Sequence, residues 1–465
     1  MRKVSDPPKF EVFTAKDLER IPQVRRLPEA MRRRMRAVAA VLPFRVNPYV
    51  VEQLIDWSRV PEDPIFQLTF PQPGMLAPEA LRRMERLVAA GASRQELLEA
   101  AREIQADLNP HPAGQLDLNV PRDAQGRPLR GLQHKYRETV LFFPAQGQTC
   151  HAYCAYCFRW AQFVGIGELR FAERDARVLA DYVAAHPEVE SVLLTGGDPM
   201  VMRTSVLRRI VEPLLRIEHL QSIRIGTKSL AYWPYRFLTD PDAEDLLRLM
   251  EQVVDSGRNL AFMAHFSHPR ELRTEAARAA LRRVRATGAV VRTQAPLIAH
   301  VNDDADTWAE MWREQVRLGA VPYYMFVERD TGARHYFEVP LARALGIFEA
   351  AYRQVSGLCR TVRGPSMSAT PGKVLLDGVV ELGGERLFAL KFLQARDPSW
   401  VGRVFFARYD EQAAWLDQLR PAFGAAEFFF EPALRELKAR RRGALPAAGV
   451  AVPSGAEGLP VIEAE

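Results

Sequence analysis

Three of the four cysteines in this 465-residue chain fall in one stretch, Thr149 to Gly165, which reads T-C-H-A-Y-C-A-Y-C-F-R-W-A-Q-F-V-G. Cys150, Cys154 and Cys157 are thereby spaced C-x3-C-x2-C. Three converging thiolates can each hold one iron of a cubane iron-sulfur cluster and leave a fourth iron open to a small molecule. An open iron is a place for chemistry. The competing reading is structural zinc, which favours four closed ligands; His151 is the nearby candidate for the fourth, and Cys359 lies far off in sequence. A second stretch, Leu194-Thr195-Gly196-Gly197-Asp198-Pro199, ends a strand-like run in two glycines. Without a Cβ the backbone there can approach a ligand, whose charged amino group can meet carbonyls and the Asp198 side chain; taken alone, such a turn is usually only a turn. Lys373 follows the run S-M-S-A-T-P-G. Taken alone it reads as a surface lysine opening a strand.

The elements that must position these residues alternate. Strand-like runs at Thr139 to Phe143, Ser191 to Thr195, Ser222 to Ile225, Asn259 to His265, Ala289 to Gln294 and Tyr323 to Val327 are separated by segments with helical periodicity. Such a run predicts a parallel sheet, and polar residues gathered just after the strands predict a full or partial barrel with function at those ends. Before it, three- and four-residue apolar spacing at Leu27 to Val41, Tyr49 to Trp57 and Pro78 to Ala90 predicts helices. The Pro- and Gly-rich Asn109 to Leu132 predicts a surface connection, and Gly364 to Gly372 a small-residue loop. Strand-like segments from Lys373 to Phe392 and at Gly402 to Tyr409 predict an antiparallel annex ending in a helix from Gln412 to Leu419. The expected division is an N-terminal helical domain and linker over 1-125, an α/β barrel over 126-372, a small α+β annex over 373-442 and a disordered tail over 443-465.

Composition narrows the function classes. With 63 basic against 57 acidic residues the formal net charge of +6 is close to balance for this length, so nucleic acid is not indicated. The runs Arg32-Arg33-Arg34 and Arg440-Arg441-Arg442 read as solvated faces. The N-terminus lacks an apolar signal region and no apolar run reaches the ~18 residues of a membrane span, so no membrane partner is expected. A clustered trio of thiols points to a reducing, cytoplasmic compartment.

The cysteine spacing, with Tyr156 just before the last cysteine, resembles the cluster loop of radical S-adenosylmethionine (SAM) enzymes, and Gly196-Gly197 resembles their glycine motif for the methionine part of SAM. From roughly Asn47 to Lys373 the chain resembles the lysine 2,3-aminomutase family. The stretches that carry this are N-P-Y-x5-I-D-W-x4-E-D-P-I from Asn47, H-K-Y from His134, the cysteine loop closing in F-V-G, G-G-D-P, R-I-G-T-K from Arg224, H-F-S-H-P from His265 and Q-A-P-L-I-A-H-V-N-D from Gln294. The resemblance implies a radical SAM partial (β/α) barrel. It also implies an isomerase with a four-iron four-sulfur ([4Fe-4S]) cluster, SAM and pyridoxal 5'-phosphate (PLP). A 5'-deoxyadenosyl radical would take hydrogen from the β-carbon of a free amino acid, and PLP, as an aldimine, would carry the α-amino group across. Residue by residue it implies Tyr156, Gly196, Gly197, Asp198, His265 and Gln294 near SAM, Lys373 as the lysine that binds PLP, and Arg159 for the substrate α-carboxylate.

Departures qualify the match. One glycine, not a run, precedes Lys373. The arginine expected at the PLP phosphate is not clearly matched, which leaves Arg137 or Lys135. Lysine-acting relatives hold the distal ammonium with two aspartates; lined up on Tyr323-Tyr324 and Pro340 the first falls on Arg329, and counting back from Lys373 puts the second at Ser366. The substrate implied is a free, small-molecule amino acid other than lysine, with an acidic one such as glutamate preferred. A reductant such as flavodoxin or ferredoxin is the expected protein partner, and a homo-oligomer is among the open assembly states. The alternatives are a radical SAM enzyme that lacks PLP or acts on a peptide or protein side chain, and a non-enzymatic zinc-stabilised or nucleic-acid-binding protein.

Overall fold

The computed structural model describes residues 8-116, 118-165 and 171-443. The expected disordered tail, 443-465, lies outside the described residues except for Gly443, the last residue of a helix over Glu431–Gly443. Contacts gather the chain up to Phe428 into one compact unit and leave Phe429 onward as another.

Eleven strands of the first unit form one sheet whose spatial order is the order of the sequence. They are β1 (Leu132–Tyr136), β2 (Thr139–Phe142), β3 (Ser191–Leu194), β4 (Ser222–Thr227), β5 (Asn259–His265), β6 (Val290–Leu297), β7 (Val321–Val327), β8 (Arg363–Ser368), β9 (Gly372–Leu382), β10 (Glu385–Ala395) and β11 (Val404–Arg408). From β2 to β8 every neighbouring pair is parallel; β1 joins β2 antiparallel, and β8 to β11 are antiparallel. The Lys135 ammonium of β1 bonds the Ala369 carbonyl beyond β8, so the two flanks of the sheet meet across the mouth of a partial barrel. The sheet passes through residues 372 and 373 without a break.

Parallel neighbours need a crossover, and six helices supply them: α1 (Arg177–Ala184), α2 (Thr204–Leu214), α3 (Ala243–Asp255), α4 (Glu275–Ala286), α5 (Ala305–Arg317) and α6 (Leu341–Arg353). Each buries an apolar stripe on the sheet, as Leu246, Leu247, Met250 and Val253 do in α3. Side-chain caps fix where two of them start: Thr274 Oγ1 accepts from Ala277 N and Asp304 Oδ1 from Thr307 N. Because β2 to β8 run the same way, their C-terminal ends and the loops that follow share one rim. Among the described residues no helix is long and apolar enough to cross a membrane.

Four local expectations give way. Tyr49 to Trp57 forms a π-helical turn over Val50–Leu54 and a 3-10 turn over Trp57–Arg59, with Asn47 Oδ1 accepting from Val50 N at the start of the first and Asp56 Oδ1 from Ser58 N at the start of the second. Gly364 to Gly372 is no loop: β8 occupies most of it as an inner strand. Its small residues answer to packing, since a Cβ on Gly364 would meet Met325 of β7 at 2.7 Å. Leu132, the last residue of the expected surface connection, already opens β1. Gln412 to Leu419 keeps only one 3-10 turn, Leu416–Gln418, because Gln418 Oε1 takes the amide hydrogens of Ala414 and Trp415 (2.6 and 3.3 Å) that a helix would otherwise use.

Candidate active site

The cysteine loop follows β2 at the shared rim and is held from several sides. Tyr153 N donates to Arg45 O (2.8 Å), Ala155 N to Leu68 O (2.8 Å), and the fully buried Asn47 amide to His151 O (3.1 Å). The N-terminal helical segment is therefore a brace for the loop. His151, the candidate fourth zinc ligand, is instead buried against Ser229 Oγ (2.9 Å), and burial lowers its pKa to about 3. Among the described residues no group of three or more His, Cys, Asp or Glu side chains is arranged around a single metal ion. A cubane asks for something else, because each of its cysteines binds a different iron. Cys150, Cys154 and Cys157 all line one cavity of about 330 Å³. Burial raises all three thiol pKa values, that of Cys157 to about 12, so metal binding here must displace protons.

Thr195, Gly196, Gly197 and Asp198 enter the same cavity from the end of β3. The glycines serve a contact that their sequence position does not reveal. Gly196 has φ +140°, and a Cβ on Gly197 would run into the backbone of Thr149. Asp198 N donates to Thr149 O (2.7 Å), so the glycine turn is packed onto the start of the cysteine loop. The Asp198 carboxylate is already occupied, by Met200 N, Thr227 Oγ1, Lys228 N and Ser229 Oγ at 2.8 to 3.0 Å, and it ties the ends of β3 and β4 together. Tyr156 lines the cavity with its hydroxyl 3.4 Å from Ser267 Oγ. His265 at the end of β5 and Gln294 in β6 face each other, Gln294 Nε2 donating to His265 Nε2 at 2.8 Å. Burial, then Lys228 and Arg159, lowers the His265 pKa to about 3, which keeps the ring neutral and able to accept.

The opposite flank of the cavity is cationic. Lys373, at the start of β9, has its ammonium 4.1 Å from the Tyr324 ring centre. Burial, then Arg224 and Arg363, lowers its pKa to about 7. Lys135 is pushed well below its ordinary value by burial and by Arg396, Arg329 and Lys373. Arg159 and Arg329 lie 5.0 and 5.2 Å from the ring centre of Phe158. Burial lowers the pKa of both, that of Arg159 to about 10. Nε and Nη2 of Arg329 are buried without a hydrogen-bond partner. Its neighbour Asp330 does not line the cavity; its carbonyl and carboxylate take the Asn109 amide at 2.5 and 3.3 Å.

Two expected residues are not brought here. Arg137 is exposed in the turn between β1 and β2, at the N-terminal end of β2 and so across the sheet from the rim. Ser366 is fully buried within β8, its hydroxyl 3.5 Å from Arg363 O, and does not line the cavity. Among the residues given no role above, Arg224 and Glu328 line it. Arg224 has a buried, unpartnered Nε, and Glu328 is a carboxyl whose pKa burial raises well above the ordinary range. Arg224 stands in the R-I-G-T-K stretch, as the third residue of β4; the alternation of Ile223 and Ile225 with Ser222, Arg224 and Gly226 would have set it on the face opposite the apolar one.

The three thiols, the glycine turn and Lys373 thus line one cavity at the rim of a partial barrel, the fold class that the sequence motifs imply. No protein-family model matches the chain. Among curated proteins it is 32% identical over 395 residues to a candidate L-lysine 2,3-aminomutase of Aquifex aeolicus, covering 85% of this chain and 92% of that protein. It is 29% identical to the L-lysine 2,3-aminomutase of Escherichia coli (55% of this chain, 71% of that protein) and 28% identical to that of Clostridium subterminale (52% and 56%). The chain belongs to the lysine 2,3-aminomutase family of radical SAM enzymes. Among solved structures a radical SAM methyltransferase from Sphaerobacter thermophilus aligns at TM-score 0.34 and 15% identity, over 60% of this chain and 91% of that one.

Proposed function

We propose that the protein is an amino-acid 2,3-aminomutase that uses a [4Fe-4S] cluster, SAM and PLP, and that its substrate carries a second carboxylate. One observation carries the reading: the three cysteines, Lys373 and the paired guanidiniums of Arg159 and Arg329 line a single cavity. The donor set fits the three groups, with thiols for iron, a Cβ-free turn at the rim, and a lysine whose neutral form is accessible near pH 7 beside further cations. When bound, these groups supply a radical source and an electrophilic carrier for nitrogen, which side chains cannot provide. The chain's own residues do the rest. Arg224 offers positive charge to a phosphate, and Lys135, whose proton burial and the neighbouring cations loosen, would regain it beside a phosphate dianion. Arg159 takes the α-carboxylate, and Arg329, with two idle donors, takes the distal one. A distal ammonium would meet the Arg329 guanidinium, beside a Glu328 carboxyl that burial biases toward its neutral form.

Two results follow. The neutral amine is the nucleophile, so capture of PLP by the apoprotein should accelerate as pH rises from 6 to 8, with its midpoint near the Lys373 pKa of about 7. A rate still climbing at pH 10, as for an ordinary lysine, would contradict the assignment. In anaerobic assays of lysine, glutamate, aspartate and arginine side by side, glutamate should give the most β-amino acid. Arg329→Ala should lower kcat/KM for it about a hundredfold, within the ~2–5 kcal/mol lost when one partner of a buried charge pair is removed, with PLP content unchanged. Lysine as the best substrate would overturn the reading of Arg329.

A further inference from the structure

Of the three cysteines, Cys154 has a phenol at its sulfur: the Tyr232 hydroxyl lies 3.5 Å from Cys154 Sγ. Tyr232 closes the short helix Ser229–Tyr232 that follows β4 and is 1% exposed, so its hydroxyl has little access to water. Its position relative to the sulfur is fixed from the backbone. The Asn47 amide nitrogen donates both to Tyr232 O (3.0 Å) and to His151 O (3.1 Å) within the cysteine loop, so one side chain ties phenol and loop together. From the other side the Lys228 ammonium sits 4.6 Å from the Tyr232 ring centre, itself held by Glu271 Oε1 (2.8 Å) and Ser267 Oγ (3.2 Å).

Neither Tyr232 nor Lys228 is needed to ligate iron. Their placement bears on a different quantity. A hydrogen bond to a ligating sulfur draws electron density from the cluster and strengthens when the cluster gains an electron, so it raises the reduction potential. In a buried setting that difference is large, because little solvent is present to screen it.

On the reading that this loop holds a [4Fe-4S] cluster, we infer that Tyr232 is a positioning residue for electron entry, its hydroxyl donating to Cys154 Sγ and holding the cluster potential up. One electron passes from the external donor to the cluster and no bond is made or broken.

The test compares reconstituted wild type, Tyr232→Phe and Tyr235→Phe in redox titrations followed by electron paramagnetic resonance, with iron and sulfide counted first. Tyr235 is the control for a buried phenol lost near the loop; it packs on Trp233 and Tyr49 rather than on a cysteine. Tyr232→Phe should keep its iron and lose about tenfold in the one-electron reduction equilibrium, a midpoint ~59 mV more negative, while Tyr235→Phe stays at the wild-type value. Equal midpoints for wild type and Tyr232→Phe at full iron content would overturn the role of Tyr232 and leave the cluster reading intact. Wild type that binds no cluster would overturn the cluster reading itself. Where Tyr232→Phe fails to assemble, 3-fluorotyrosine incorporated at Tyr232 decides: its more acidic hydroxyl must raise the midpoint, and an unchanged value refutes the inference.

Discussion

Cys157→Ala should reduce SAM cleavage to background and leave the protein short of the roughly four irons per chain that a reconstituted cubane holds. The reason is local. Cys154 and Cys157 sit on one turn, with Cys157 N donating to Cys154 O (3.0 Å), and that turn is braced by Arg45, Asn47 and Leu68, so a substitute ligand cannot move in from elsewhere. Cys359→Ala is the matched control, since Cys359 is buried in the short turn Gly357–Cys359 and takes no part in the cavity. Full iron and SAM cleavage in Cys157→Ala would remove the basis for assigning these cysteines to a cluster.

Lys373→Ala should separate radical generation from amino-group migration. The cysteine loop and glycine turn are untouched by this change, so iron content and SAM cleavage under a strong reductant should persist. Formation of β-amino acid should fall by at least ~10³-fold, the scale on which removal of a covalent catalytic group acts. In the parent protein, borohydride should fix PLP to the peptide that contains Lys373. Labelling at Lys135, the other buried lysine of that flank, would move the assignment to β1 and show that the lowered pKa of Lys373 serves another purpose.

Much of the barrel was legible because β/α alternation is a local property. Each strand from β2 to β7 is a run of four to eight residues, mostly apolar or alternating with polar residues, and a periodic helix comes before the next strand, so the sequence contains both periods directly. Strand β8 was hidden because its residues, Arg363–Ser368, are chosen for the thinness that close packing on Met325 demands rather than for strand propensity. The cysteines and glycines were readable from spacing. What they do for each other was not: the Gly197 contact with Thr149 and three of the four donors on Asp198 join segments about thirty to fifty residues apart in the chain, and no local pattern encodes such pairings. Arg137 and Ser366 misled for the opposite reason. Counting back from Lys373 fixes the number of Ser366 but not the face of its strand, and the charge of Arg137 suits a phosphate but does not say on which end of the hairpin it falls.

The sheet reads in chain order, and this gives the site a direction along the gene. The groups proposed for generating the radical, from Cys150 to Gln294, are complete by β6. Arg329 after β7 and Lys373 at β9, which would decide which side chain the radical meets, arrive afterwards with one strand between them, while Arg159 stays with the first group. A crossover between homologous genes in the connection spanned by α5 would thus hand over a new specificity in one piece while keeping the ancestral engine for making radicals. A fold whose strands were shuffled in space would scatter the same residues and require many coordinated changes; here, one seam suffices for diversification.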